Sequence, residues 1–172
     1  MISSLMKRLD RKYLLMVYYA YAYSFMQYGI NFWGSSKVVL RAVFVAQKRL
    51  IRALAGERYW PADTPLCSAR PLFDKLNLLP VFSIYLLEAC KFVRQYPHYF
   101  RTGGQIHQHA TRSRDNIFFD SHSSKSPYFC MSSLYNLLPN SVKGEKNYRK
   151  YVKLLRKFVY SKKYYCVEEF CK

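Results

Sequence analysis

The segment 37–55, KVVLRAVFVAQKRLIRALA, constrains the fold more than any other part of the chain. It runs without Pro or Gly, and Val39, Ala42, Val43, Ala46, Leu50, Ala53 and Leu54 recur at steps of three and four. That spacing predicts an α-helix with those residues on one wall. At roughly 100° per residue, Lys37, Arg41, Lys48 and Arg52 gather on the opposite face. A helix of this kind packs inward and offers charge outward. Gly56 is its expected stop.

The same reasoning predicts helices elsewhere. Residues 2–28 carry no Pro and meet Gly29 as a C-terminal stop, and Ser35 or Ser36 can cap the helix that follows. Pro71 suits the first turn of a short helix at 72–76, and residues 81–96 lie between Pro80 and Pro97 with apolar residues at helical spacing. The apolar run 128–138 suits a strand or a short helix, and a helix is expected at 131–137. Residues 144–163 form the last long helix, with Tyr148, Tyr151, Val152, Leu155, Phe158 and Val159 on one stripe. Arg149, Lys150, Lys153, Arg156 and Lys157 cover its other side. Val167 to Phe170 form a short terminal turn. Pro61 and Pro65 mark 57–70 as a loop, and Gly103-Gly104 with Ser121, Ser123, Ser124 and Ser126 mark 98–127 as an irregular linker open to disorder. The expected fold is a small all-α bundle, divided into 1–97, 98–127 and a basic helical region 128–172.

Charge sets the expected partners. The chain carries 28 Lys+Arg against 10 Asp+Glu, a net +18. Such a surplus repels itself unless something negative lies against it, which points to phosphate backbones or anionic lipid. On the two basic helices the cations can meet phosphates while Tyr side chains stack on unpaired bases. The alternative is a solvated basic surface with the tyrosines in the core.

Residues 13–36 hold no charged side chain, and Lys7, Arg8, Arg11 and Lys12 precede them. This resembles a signal peptide with Ala20-Tyr-Ala22 as the cleavage site, or an anchor over 13–33 with the helix 144–163 on anionic lipid. Against it stand six Tyr together with Ser24, Gln27, Gly29 and Asn31, which favour a helix buried in protein.

No catalytic constellation is legible. Polymerases and nucleases hold divalent metal between converging carboxylates, whereas the ten acids here are scattered and only Glu168-Glu169 are adjacent. His107-x-His109 near Asp115 sits in the irregular stretch, and Gly103-Gly104 lacks the Lys-Ser/Thr of a phosphate-cradling loop. Five cysteines without a CxxC pair suit small buried hydrophobes in a reducing compartment. No metal and no other cofactor is expected, and the setting is intracellular, nuclear or cytoplasmic.

A series of short motifs adds a family likeness. Tyr28-Gly29-x-x-x-Trp33-Gly34, Gln47-Lys48-Arg49-Leu50-Ile51-Arg52 and Arg70-Pro71-Leu72-Phe73-x-x-Leu76-x-x-Leu79-Pro80 come in that order. His107-x-His109-x-Thr111-Arg112, Leu134-Tyr135-Asn136-x-Leu138-Pro139 and the basic helix follow. The succession resembles the C-terminal part of reverse transcriptases from non-LTR, jockey-like retrotransposons. The resemblance implies a thumb that grips a template–primer duplex, with Gln47, Lys48, Arg49 and Arg52 on its nucleic-acid-facing helix. It also implies a separate palm-bearing reverse transcriptase as partner. The family's Tyr/Phe-x-Asp-Asp loop and endonuclease have no counterpart in the sequence, and Ala110 stands where the family usually has Asn. The expectation is a truncated, non-catalytic copy that keeps nucleic-acid affinity.

Overall fold

A computed structural model describes residues 10–55, 69–106, 116–118 and 126–171. The fold is all-α. Helix α1 comprises Arg11–Val17, a π-helical segment Tyr18–Tyr23 and Ser24–Gln27. A short α2, Ile30–Trp33, leads to α3, Lys37–Ala55. Then come α4, Arg70–Lys75, and α5, Val81–Gln95. A 3₁₀ turn, Pro97–Tyr99, precedes β1, Arg101–Thr102, α6, Gly103–Ile106, and β2, Ile117–Phe118. The C-terminal part holds α7, Pro127–Asn136, α8, Asn140–Lys143, α9, Tyr148–Lys162, and α10, Val167–Phe170.

Helix α5 is the axis of the fold, and its sequence explains why. Val81, Ser83, Ile84, Tyr85, Leu86, Leu87, Ala89, Cys90 and Val93 are all buried, and only Gln95 of the helix is exposed. A helix apolar around most of its circumference is stable only when largely surrounded, and α1, α2, α3, α7 and α9 all pack on it. Tyr151 of α9, fully buried, donates its hydroxyl proton to the Cys90 carbonyl at 3.0 Å. One core cluster runs from Leu14 through α5 to Val159.

Two turns of the motif series have local causes. Gly29 adopts φ +62° and ends α1, where only glycine is free of steric cost. The Trp33 indole N–H then donates to the Tyr28 carbonyl at 2.8 Å. Gly34 is needed for a different reason: a Cβ there would lie 2.4 Å from Cδ2 of the buried Tyr85 ring. After α4, Asn77 takes φ 50° and the Leu78 N–H donates to the Phe73 carbonyl at 2.9 Å. That is a Schellman-type stop, and Leu78 is buried beneath it.

The irregular stretch contributes defined structure where it is described. Arg101 pairs with Phe118 and Thr102 with Ile117 in an antiparallel ladder. Asn136 pins β2 from α7: Ile117 N–H donates to its Oδ1 at 2.9 Å, and its Nδ2 donates to the Ile117 carbonyl at 2.8 Å. Phe100 is buried in the core. Of the loop expected at 57–70, residues 57–68 lie outside the described residues, as do Gly56, the His107-x-His109 motif and the beginning of the first helix, while Arg70 already opens α4.

The structure corrects three readings. Helix α3 turns a different wall inward: Leu40, Gln47, Ile51 and Leu54 are buried, whereas Val39, Ala42 and Ala46 are exposed. This face lies roughly 100° around the axis from the expected one, because the large Leu40 and Ile51 outweigh the small alanines in buried area. The last long helix begins at Tyr148, not at 144, since Asn147 Oδ1 accepts from the Arg149 and Lys150 amides and caps it there. Helix α7 starts at Pro127, four residues earlier than 131.

Candidate nucleic-acid interface

Gln47 is not on a nucleic-acid-facing surface. It is buried, and its amide joins three elements. Nε2 donates to the Tyr18 hydroxyl oxygen at 3.0 Å and to the Leu79 carbonyl at 2.9 Å. Oε1 accepts the Val81 N–H at 2.9 Å, the first orphan amide of α5. Burial pushes the Tyr18 phenol up to about 12, even though the hydrogen bond from Gln47 favours its ionised form.

The cations of α3 divide into two sets. Lys37, Arg41 and Lys48 line one wall of an open groove of about 760 Å³, together with Phe44, Phe82 and Tyr165. Lys48 Nζ rests 4.9 Å from the centre of the Phe44 ring, and Phe44 contacts Phe82 edge-on at 5.3 Å. Arg52 is half-buried, and Arg49 is exposed but outside the groove. The sequence singled out the cations; the aromatic floor was missed because Phe44 fell between the expected apolar and basic faces.

Helix α10 closes the groove with an acid. Lys37 Nζ donates to Glu168 Oε1 at 3.0 Å, and both side chains are well exposed. The Glu168 carboxyl is held below its usual range, first by its own backbone N–H and then by Lys37, and the Lys37 ammonium is raised by its hydrogen bond to Glu168. Arg70 pairs with Glu169 and stacks 4.5 Å over the Tyr165 ring, while the Tyr165 N–H donates to Glu169 Oε2 at 2.7 Å. The segment reaches this wall because Lys163 ends α9 at φ 46° and ties back to Asp74 at 2.8 Å.

Helix α9 presents the second basic surface. Tyr151, Leu155 and Val159 are buried, and Arg149, Lys150, Lys153, Arg156 and Lys157 are all exposed on the far side. Among the described residues none of these five forms an ion pair with a carboxylate. They stand within about two turns of one helix face, and the α3 cations stand on another helix; both helices pack on α5.

Most of the described acids have structural partners. Asp74 meets Lys163, and Glu88 accepts from Lys91 and from Gln27. Glu145 Oε1 accepts the Asn147 N–H at 2.9 Å. Among the described residues no group of three or more His, Cys, Asp or Glu converges as a metal site. Cys90 is buried and its thiol is pushed up by burial, the behaviour of a packing residue rather than a nucleophile. Comparison with protein-family models, with curated proteins and with solved structures gave no match.

Proposed function

We propose that the chain is a non-catalytic helical module that grips the phosphate backbone of RNA or DNA, a template–primer duplex in particular. The observation that carries this reading is the face of α9, where five exposed cations have no carboxylate partner among the described residues. The α3 groove supports it with three more cations beside stackable aromatic rings. The motif series lends the thumb-like role and a palm-bearing reverse transcriptase as partner. On this reading polymerisation belongs to such a partner, in keeping with a sequence that has no Tyr/Phe-x-Asp-Asp motif.

Salt-titrated anisotropy with a labelled duplex tests it. Five phosphate contacts predict a slope of log affinity against log salt of about −4.5, or a loss of several hundredfold between about 50 and about 200 mM salt. Replacing Arg149, Lys153 and Lys157 by Gln should flatten the slope by about 2–3. An unchanged slope and affinity in this triple variant refutes the assignment.

A further inference from the structure

Besides the Leu14, Tyr18 and Met26 that it buries, α1 turns further apolar side chains to solvent, and the turn and α2 that follow add to them. Tyr13, Met16, Tyr21, Phe25, Tyr28 and Phe32 are all exposed, Phe25 at 83% and Tyr28 at 84%. Behind them, α1 and α3 enclose an almost wholly apolar groove of about 740 Å³ whose walls include Met26, Trp33, Val43 and Leu50. Tyr21, Phe25 and Tyr28 line this groove as well, so patch and groove join there into a surface beyond the scattered apolar residues of an ordinary exterior. We propose that this face lies on the surface of an anionic lipid bilayer, with α1 in the plane of the interface.

Three observations select lipid. First, the residues are those that favour the interface, Tyr, Trp and Phe. Second, charge is excluded from the patch and placed around it. No residue in 13–36 is charged, while Lys12 is exposed at one end; on the flank toward α9 the Glu88 carboxylate and, more weakly, Arg156 both act on the Tyr23 hydroxyl. Arg49, three residues beyond Ala46 of the groove wall, borders the other side. A nucleic-acid track needs cations interleaved with the aromatics at each phosphate, and a second copy would bring +18 against +18. An apolar centre with a basic rim instead matches acyl chains surrounded by anionic headgroups. Third, a surface placement needs no spanning helix. Arg11 to Gln27 extend about 25 Å at the α-helical rise, and no helix among the described residues is long and apolar enough to cross a membrane. The anchor expected over 13–33 is thus recast as a surface contact.

Flotation of the full chain with phosphatidylcholine vesicles, with and without about 30% phosphatidylserine, tests this. Binding is expected to the anionic vesicles. Phe25→Ser with Tyr28→Ser should lower the partition coefficient by about 10- to 100-fold, with far-ultraviolet circular dichroism unchanged because both side chains are solvent-exposed. Replacing Lys12 and Arg49 by Gln should weaken the preference for phosphatidylserine without touching the aromatic strip, which keeps the test decisive if the first variant misfolds. Absence of vesicle binding, or binding that both variants leave intact, overturns the proposal. So does a chain that is dimeric until Phe25 and Tyr28 are changed, which assigns the face to a second copy. A loss of duplex affinity in the Phe25/Tyr28 variant equal to its loss of vesicle binding assigns the face to nucleic acid.

Discussion

Replacing Gln47 by Leu separates a structural role from a binding role at one position. The leucine fills nearly the same volume but cannot donate or accept. It strands the Leu79 carbonyl and the Val81 N–H, both hidden at the start of α5, and removes one bond to the Tyr18 hydroxyl. A buried polar group left without its partner costs about 1–3 kcal/mol. The Tyr18 oxygen loses only an accepted bond, so two backbone groups dominate and the expected loss is about 2–4 kcal/mol. For a chain of this length that lowers the melting temperature by about 5–15 °C. The assay is urea unfolding followed by circular dichroism, paired with duplex affinity measured at a temperature where both proteins are folded. Stability should fall while affinity and salt slope stay the same. A loss below about 1 kcal/mol, or a weakened affinity at full stability, refutes the placement of Gln47 in the core and returns it to the nucleic-acid face.

Three further outcomes follow from the same geometry. Gly34→Ala should cost about 1–3 kcal/mol by thermal melting, since the new methyl meets both the Ile30 carbonyl oxygen and the Tyr85 ring at 2.4 Å; a neutral result would mean that Tyr85 is free to move. Raising the pH above 10 should unfold the chain, because the phenols of Tyr18, Tyr85 and Tyr151 are raised by burial. The unfolded state then loses its protons first, and at about pH 11 each of the three removes about 1.4 kcal/mol of stability. Part of the tyrosinate absorbance should therefore appear together with the loss of helix, and helix content that is constant through about pH 12 contradicts this. Glu168→Gln should leave the melting temperature unchanged, because its ion pair is fully exposed, yet raise duplex affinity at low salt more than the charge-matched Asp10→Asn does; equal gains would show that the α10 acid does not compete with phosphate for Lys37.

The elements were legible where periodicity and punctuation agreed. Proline at 71, 80 and 97 and glycine at 29 mark real boundaries, and the apolar stripe of α9 faces inward as its spacing requires. Orientation was harder. In α3 the sequence offers two apolar walls, and counting residues favoured the one with more members, although buried area favours the one with Leu40 and Ile51. Gln47 was misread for a related reason. A polar residue beside Lys48 and Arg49 looks like part of a basic patch until the α5 N-terminus, more than thirty residues away in sequence, is folded against it. The π-helical segment had no sequence signal: Tyr18–Tyr23 contains neither Pro nor Gly, and the widened turn is visible only in the backbone, where Ser24 Oγ donates to the Tyr19 carbonyl at 2.9 Å.

The tyrosines show how one residue type can serve opposite ends in a single chain. Where the ring is buried, its hydroxyl must find a partner or cost free energy, and Tyr151 and Tyr18 do so through Cys90 and Gln47. Tyr85 is the exception. Its hydroxyl is buried with no hydrogen-bond partner among the described residues, so the ring is held by packing alone, against the space that Gly34 leaves open. On the outer side of α1, Tyr13 and Tyr21 stand in solvent instead. The basic faces of α3 and α9 and the aromatic face of α1 are therefore distinct in chemistry as well as in residues. Neutralising α9 at Arg149, Lys153 and Lys157 should affect polyanion binding and spare the apolar contribution of α1, while polar substitutions at Phe25 and Tyr28 should do the reverse. A chain with one general sticky surface could not give that crossed pattern, because every change would weaken both interactions together.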